Sequence, residues 1–149
     1  MREGLPAFDL NVVTLGVNDF DRSVRFYEAL GLTRKMRSTG DEIAFFDAGG
    51  VVLALFRWTM LAEDAVMREL PRPQAFRGTT LSRICRSDAE VDARMAHALS
   101  IGARLLKIPH KRFFGGYSGY FADLDGHPWE VVRAPGFSFT DDGRMTLPD

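Results

Sequence analysis

The chain has 149 residues, of which 46% are hydrophobic, so it is long enough for one domain with its own core. A formal net charge of -1 argues against a surface that neutralises the many phosphates of a nucleic acid. The single cysteine, Cys85, excludes an intrachain disulfide and fits a reducing compartment. Residues 1–10 lack the pattern of a signal peptide, and no apolar run reaches the roughly 20 residues that cross a bilayer. We therefore expect a soluble, cytoplasmic protein that binds neither nucleic acid nor membranes.

The first third of the chain predicts one strand, one helix and three further strands. Residues 10–17 are rich in β-branched and apolar side chains, which is typical of a strand. Asn18-Asp19 then offers a helix start, and Gly31 stands where helices commonly end on glycine. Between them, apolar side chains recur at helical spacing, at Phe20, Val24, Tyr27 and Leu30. The three further strands are predicted over residues 32–37, 42–47 and 51–56, with a tight turn at residues 48–50.

The same pattern returns after a connection at residues 58–78. Within the connection, residues 60–70 have helical composition, and Pro71 and Pro73 end the predicted helix. Ser87-Asp88 offers a second helix start, and Gly102 follows the second helix as Gly31 follows the first. The second helix has its apolar stripe at Val91, Met95 and Leu99. The other predicted elements are strands at 79–86, 103–108, 117–123 and 129–133, a loop at 109–116 and a hairpin turn at Asp125-Gly126.

These two patterns predict a single α+β domain, residues 1–149, built from two βαβββ modules at residues 8–57 and 79–134. One such module leaves a sheet face uncovered. Two modules side by side curl into paired, half-barrel-like mixed sheets around a cleft, which is a natural site for a small-molecule ligand. Two open sheets also leave strand edges that need cover, so we expect a homodimer. The polar, turn-rich tail at residues 135–149 either wraps the domain or reaches a neighbouring chain.

Several motifs resemble those of a known superfamily. They are VNDFDRS at 17–23, FY at 26–27, LGL at 30–32, GYSGYF at 116–121 and DLDGHPWE at 123–130. In this order they are similar to the first-helix signature and the closing hairpin of the vicinal oxygen chelate superfamily, which includes glyoxalase I, extradiol dioxygenases and bleomycin-resistance proteins. The tail also looks like that of a glyoxalase-like bacterial subgroup. The resemblance implies the paired-module fold and a dimer, but one fold hosts many functions.

The resemblance also implies a divalent metal held by side chains from four strands. Matched by motif, the four positions here are Val12, Ala54, Thr80 and Glu130. Val12 and Ala54 have no donor atom and a threonine hydroxyl is a poor ligand, whereas catalytic zinc sites usually have three protein ligands. The three histidines, His97, His110 and His127, have no metal-binding spacing. We therefore predict no tightly bound catalytic metal and no other cofactor, with a divalent metal as the disfavoured alternative.

Glu130 is the candidate catalytic residue, and two interpretations of it stay open. In a strand, Glu130 and Val132 face one way while Trp129 and Val131 face the other. Glu130 is either a rim carboxylate paired with an arginine or a carboxylate that faces the cleft and acts as a base. Arg83 stands where a strand expects an apolar residue, so it pairs with Glu130, binds an anionic ligand or faces water.

The other ligand-binding candidates are aromatic or basic. Tyr117 and Tyr120 flank glycines on one strand, which indicates either close approach of a ligand or a twisted core strand. Phe114, beside two glycines, forms an apolar lid or plain core. Trp58 lines the mouth of the cleft or an interface. His110 belongs to a basic cluster that is either a solvated loop or an attractor of a carboxylate or phosphate. That cluster is Lys107, His110, Lys111 and Arg112.

Two functions therefore compete, with a third behind them. The first is binding of a small molecule without chemistry, in the manner of bleomycin-resistance proteins, and the missing metal ligands favour it. The second is a lyase or isomerase resembling lactoylglutathione lyase that uses Glu130 with an atypical metal site, and the family resemblance favours it. The third is an accessory subunit that only dimerises. Metal analysis of the purified protein separates the first two.

Overall fold

The fold is described from a computed structural model, which covers residues 8–67 and 75–149. The strands are β1 (Val12–Val17), β2 (Thr33–Lys35), β3 (Ile43–Asp47), β4 (Val52–Arg57), β5 (Leu81–Ile84), β6 (Arg104–Lys111), β7 (Tyr117–Ala122), β8 (Pro128–Arg133), β9 (Ser138–Phe139) and β10 (Met145–Thr146). The helices are α1 (Phe20–Leu30), α2 (Trp58–Asp64) and α3 (Asp88–Ser100), with a 3-10 turn at Arg37–Thr39. None of the helices in the described ranges is long and apolar enough to cross a membrane.

Two four-stranded mixed sheets repeat one topology. The first has the order β1-β4-β3-β2 and the second β5-β8-β7-β6. In each sheet the first and last strands of the module pair in parallel and the remaining pairs are antiparallel. This repeat confirms the predicted α+β class with paired βαβββ modules.

Both long helices begin and end where the sequence predicts. The Asp19 and Ser87 side chains each accept a hydrogen bond, at 3.1 Å, from the backbone N–H three residues further on. These bonds satisfy amide groups that the first helical turn leaves free. Gly31 and Gly102 follow the helices with φ of 117° and 108°, in the left-handed region that favours glycine. The two helix ends are therefore equivalent in the two modules.

One hydrophobic core joins the helices to one face of each sheet. Phe20 and Tyr27 of α1, with Val91 of α3, are fully buried in it. From β8, Val131 belongs to this core and Trp129 packs against it. Since neighbouring strand residues alternate between faces, Glu130 lies on the face turned away from α3, which we call the open face of the second sheet.

A buried polar contact joins α1 to the turn between β7 and β8. The Tyr27 hydroxyl donates a 2.5 Å hydrogen bond to the Asp123 carboxylate, and the Trp129 indole N–H donates to the Tyr27 oxygen at 3.1 Å. Burial, followed by the Asp123 charge, holds the pKa of Tyr27 well above its usual value. Burial also raises the pKa of Asp123. The two modules are thus connected by hydrogen bonds as well as by the core.

The predicted loop at residues 109–116 is wrong at its start, because β6 continues to Lys111. Pro109 cannot donate a ladder hydrogen bond, yet β6 is an edge strand, where proline is tolerated. The pairing with β7 shifts register between Lys107 and His110, which accommodates the proline.

The helix predicted at residues 60–70 is observed in part. It begins earlier, at Trp58, and α2 ends at Asp64. Residues 68–74, with the predicted stop at Pro71 and Pro73, lie outside the described residues.

The tail contacts both modules of its own chain. Its two short strands, β9 and β10, form an antiparallel hairpin that the sequence analysis did not predict. The Arg86 guanidinium lies 4.2 Å from the centroid of the Phe139 ring, on the side of the second module. Near the first module, Arg144 Nε lies 4.0 Å from where a Cβ on Gly50 would be.

Candidate functional site

The open face of the second sheet carries a row of polar side chains. The strand register places Ser82, Glu130 and Tyr120 side by side on β5, β8 and β7. Ser118 lies two residues before Tyr120 on β7 and therefore on the same face, and its pairing partner on β6 is His110. Directly paired residues share a face, so the register alone brings these side chains together.

Glu130 is a partly buried carboxylate beside an arginine. The side chains of Glu130 and Arg112 are 19% and 20% exposed, and Arg112 Nη1 lies 3.9 Å from Glu130 Oε2. The same nitrogen donates a 2.9 Å hydrogen bond to Ser118 Oγ. The guanidinium is therefore held between a carboxylate and a hydroxyl.

Tyr120 completes the group. Burial, followed by a hydrogen bond to the Glu130 carboxylate, raises the pKa of Tyr120, while the Arg112 guanidinium acts in the opposite direction. The phenol therefore keeps its proton at neutral pH. We call Arg112, Ser118, Tyr120 and Glu130 the polar cluster. It offers a carboxylate acceptor and the donors of a guanidinium and a phenol, whereas the fully buried Ser118 hydroxyl positions Arg112.

Phe114 borders the polar cluster. Its ring centroid lies 5.4 Å from the Arg112 guanidinium carbon. The ring, together with the backbone carbonyl oxygen of Arg133, occupies the space that a side chain on Gly116 would need, which explains the glycine there. At 39% exposure, Phe114 is not plain core. It provides an apolar surface next to the charged groups.

Two candidates, Arg83 and Tyr117, lie on the face of the second sheet opposite Glu130. Arg83 pairs with Val131, and its Nη2 lies 3.6 Å from Glu90 of α3. The Tyr117 hydroxyl donates a 2.7 Å hydrogen bond to Asp92, also of α3. The reason is the two-residue alternation of a strand, which separates odd positions such as 117 from even ones such as 120.

Trp58 lies where the two modules meet. Its ring stacks on the His127 imidazole, with centroids 6.0 Å apart and planes at 16°. His127 Nε2 is also 2.7 Å from the Gly16 carbonyl oxygen. His127, in the second module, therefore contacts Gly16 of the first module and Trp58, which directly follows that module. The Arg77 guanidinium lies 5.0 Å from the Trp58 ring.

The four positions implied for a metal do not form a ligand set. Ala54 is fully buried and Val12 is half exposed, and neither has a donor atom. Thr80 precedes β5 and is exposed, and it has only a hydroxyl to offer. Glu130 is therefore the one carboxylate among the four positions. Throughout residues 8–67 and 75–149, no group of three or more His, Cys, Asp or Glu is arranged to hold a metal ion. The donor chemistry of these positions does not fit a divalent metal.

Arg112 and Ser118 are site residues that the sequence analysis did not select. Arg112 was assigned to a basic loop cluster, and Ser118 was not singled out. The signal for Arg112 was its place two residues after His110: if the strand alternation is continued past Pro109 and one residue beyond the end of β6, both side chains fall on the open face.

The fold and the site define a class: an α+β protein of two βαβββ modules, with polar groups on the open face of one sheet. Residues 9–131 match the Glyoxalase/Bleomycin resistance protein/Dioxygenase superfamily. The chain belongs to this superfamily.

Three solved structures illustrate the relationship. A glyoxalase-related enzyme from Fulvimarina pelagi is 33% identical, with a TM-score of 0.83 over 95% of this chain and 99% of that one. A glyoxalase/bleomycin resistance protein/dioxygenase family enzyme from Burkholderia phytofirmans PsJN is 16% identical, with a TM-score of 0.76 over 85% and 99%. A lactoylglutathione lyase from Agrobacterium tumefaciens is 22% identical, with a TM-score of 0.64 over 87% and 96%. The last two show a shared fold alone.

Proposed function

We propose that the protein binds a small molecule at the polar cluster without a complete catalytic metal site. One observation carries the proposal: Glu130, the one strong ligand among the four metal positions, lies 3.9 Å from the Arg112 guanidinium and is paired across the strands with Tyr120. A guanidinium beside a carboxylate competes electrostatically with a cation. The cluster is therefore suited to an organic ligand with hydrogen-bonding groups.

The chemistry of the site indicates the class of ligand. Glu130 accepts hydrogen bonds from N–H or O–H groups, and Arg112 donates to a carbonyl or carboxylate. Phe114 adds an apolar surface for a ring or alkyl part. We therefore expect a small molecule that carries a donor, an acceptor and an apolar portion.

A thermal-shift screen of small acids, thiol adducts and aromatic drugs tests this proposal. A ligand at a hundredfold excess over its Kd stabilises the native state by about 2.7 kcal/mol. Glu130→Gln and Arg112→Gln are expected to remove or reduce the shift, whereas Glu42→Gln, an exposed carboxylate outside the site, leaves it unchanged. A hit that binds both site variants as it binds the wild type places the ligand elsewhere.

The alternative is a lyase or isomerase that uses Glu130 as a base with an atypical metal site. The likeness to the glyoxalase-related enzyme from Fulvimarina pelagi favours it. In this case Tyr120 and Arg112 position the carboxylate. Glu130→Gln then abolishes turnover of a substrate that still binds.

Metal removal separates the two proposals. We expect the purified protein to contain less than one equivalent of zinc, nickel, iron or manganese, and chelator to leave its melting temperature unchanged. A metal at a thousandfold excess over its Kd stabilises a fold by about 4 kcal/mol, so its removal is easily measured. A melting temperature that falls with chelator and returns with metal favours the enzyme.

A homodimer in the cytoplasm is also proposed. The edge strands β2 and β6 support the dimer, because unpaired strand edges need cover. The single cysteine, free and buried, supports a reducing compartment. Fractionation of expressing cells tests the location, and recovery of the protein outside the cytoplasm contradicts it.

A further inference from the structure

A second concave site lies away from the polar cluster, between the start of α1 and the turn that joins β7 to β8. It is a cavity of about 400 Å³ whose lining includes three arginines, Arg22, Arg77 and Arg104, and two aspartates, Asp123 and Asp125. None of the polar cluster residues lines it. Its size falls within the roughly 300–1,000 Å³ typical of small-ligand pockets.

The two carboxylates are engaged by groups of the fold. Asp123 accepts the Tyr27 hydroxyl on one oxygen and two backbone N–H groups of the turn on the other. Asp125 accepts the Asn18 backbone N–H at 2.7 Å and the Ser23 hydroxyl at 3.0 Å. Their lone pairs are thus directed at donors other than the arginines. Within the described ranges neither carboxylate forms an ion pair with an arginine of the cavity. Their charges still belong to the lining, where three arginines and two aspartates leave a net charge of +1.

The three arginines differ in how they are held. Arg77 lies over the Trp58 ring and donates a 2.8 Å hydrogen bond to the Asp125 carbonyl oxygen. Its guanidinium is therefore positioned in advance. Within the described ranges, Arg22 and Arg104 form no ion pair and no side-chain hydrogen bond. Their donors are available to a ligand.

We infer that this cavity binds a small, multiply charged anion bearing phosphoryl or carboxylate groups. Guanidinium groups match both oxyanions with paired N–H···O bonds. The three guanidinium groups outnumber the two carboxylates of the lining, and this excess of positive charge on a concave surface attracts an anion. The inference goes beyond the proposed function, because the two sites share no residue.

Isothermal titration calorimetry with pyrophosphate and with citrate, at constant ionic strength, tests the inference and distinguishes the two sources of oxyanion. We expect saturable one-to-one binding of at least one of them, and the tighter ligand assigns the chemistry. Arg22→Gln and Arg104→Gln should each weaken binding by about tenfold or more, since each removes a charge-assisted hydrogen bond. Both side chains are exposed, so the variants keep the fold, which circular dichroism verifies.

Two control variants make the result specific. Arg25→Gln removes an exposed arginine of α1 that does not line the cavity, and it should leave Kd unchanged. Glu130→Gln should also leave it unchanged, so failure of the polar cluster as a site does not affect this outcome. Absence of saturable binding up to about 10 mM of both anions overturns the inference. Equal weakening by Arg25→Gln and Arg22→Gln overturns it as well, because that is a general charge effect.

Discussion

At the scale of single residues, the ionisation of the tyrosines can be measured directly, and one of them, Tyr120, belongs to the polar cluster. The chain has three tyrosines, and the pKa of each is raised: burial is the first cause for Tyr27 and Tyr120, and the hydrogen bond to Asp92 is the first for Tyr117. A free tyrosine is half ionised at about pH 10. We therefore expect the native protein to show less than half of its phenolate absorbance there.

Glu130→Gln should lower the pKa of Tyr120 toward its ordinary value without reaching it, because the carboxylate is lost while the burial remains. Spectrophotometric titration measures the tyrosine pKa values, and the transition that is absent from Tyr120→Phe is assigned to Tyr120. Since the folded pKa lies above the unfolded one, Tyr120 stabilises the native state below about pH 10, and this is lost as pH rises through the folded value. A Tyr120 transition that Glu130→Gln does not move contradicts the cluster.

Strand alternation predicted part of this site and missed the rest. It placed Glu130 on the face opposite Trp129, which the register bears out. It also separates Tyr117 from Tyr120, but a single alternation does not say which tyrosine shares the carboxylate's face until the hairpin register is known. Arg112 was missed because Pro109 suggested that the strand ended before it. In addition, the spacing of residues in the sequence does not show which side chains on neighbouring strands are close enough to interact.

At the scale of elements, the glycine that ends α1 gives a clean test of backbone strain. Gly31 has φ 117°, and nothing lies within 4 Å of where its Cβ would be. Gly31→Ala should therefore destabilise the protein by about 1 kcal/mol through strain alone. Urea unfolding measures it, and Gly31→Asn, which tolerates this region better, should lose less. Equal stability of the alanine variant contradicts a left-handed cap.

The contact between α1 and the β7–β8 turn is the second element-scale test. Tyr27→Phe removes the buried donor to Asp123 and should destabilise the protein by about 2 kcal/mol. Tyr117→Phe removes a similar bond to Asp92 at the exposed surface, and its urea midpoint should stay nearly unchanged.

The pH dependence of this contact has a definite sign. The folded pKa of Tyr27 exceeds the unfolded one, so its stabilisation is complete below about pH 10 and is lost as pH rises through the folded pKa. The difference between wild type and Tyr27→Phe should shrink over that range. A constant difference up to the pH of alkaline unfolding is inconsistent with the buried hydrogen bond.

Element order was predictable because the two long helices, α1 and α3, have strong local signals: a capping side chain at Asp19 or Ser87 and a glycine after the end of the helix. The ends of the strands were less predictable, because they depend on pairing partners that the local sequence does not specify. The β9–β10 hairpin shows the limit: its strands have two residues each, and the contact of Arg86 with Phe139 beside it is a tertiary interaction.

At the scale of the whole molecule, β6 is the edge that most needs cover. It lies at one edge of the second sheet and exposes three large apolar side chains, Leu105, Leu106 and Ile108, of which Ile108 is 65% exposed. Unpaired N–H and C=O groups beside exposed apolar side chains favour association with another strand edge. A second copy of the chain provides the same edge in the opposite direction, which suits a two-fold dimer.

We therefore expect light scattering at micromolar concentration to give about twice the 16.7 kDa chain mass. Ile108→Lys should shift the mass toward the monomer, because a buried ammonium at the interface loses its water without gaining a partner. Leu147→Lys, at 66% exposure in the tail, is the matched control and should leave the mass unchanged. A monomeric wild type refutes the dimer. A dimer that resists Ile108→Lys moves the interface away from β6, and β2, which is an edge strand of the first sheet, is then the next strand to test.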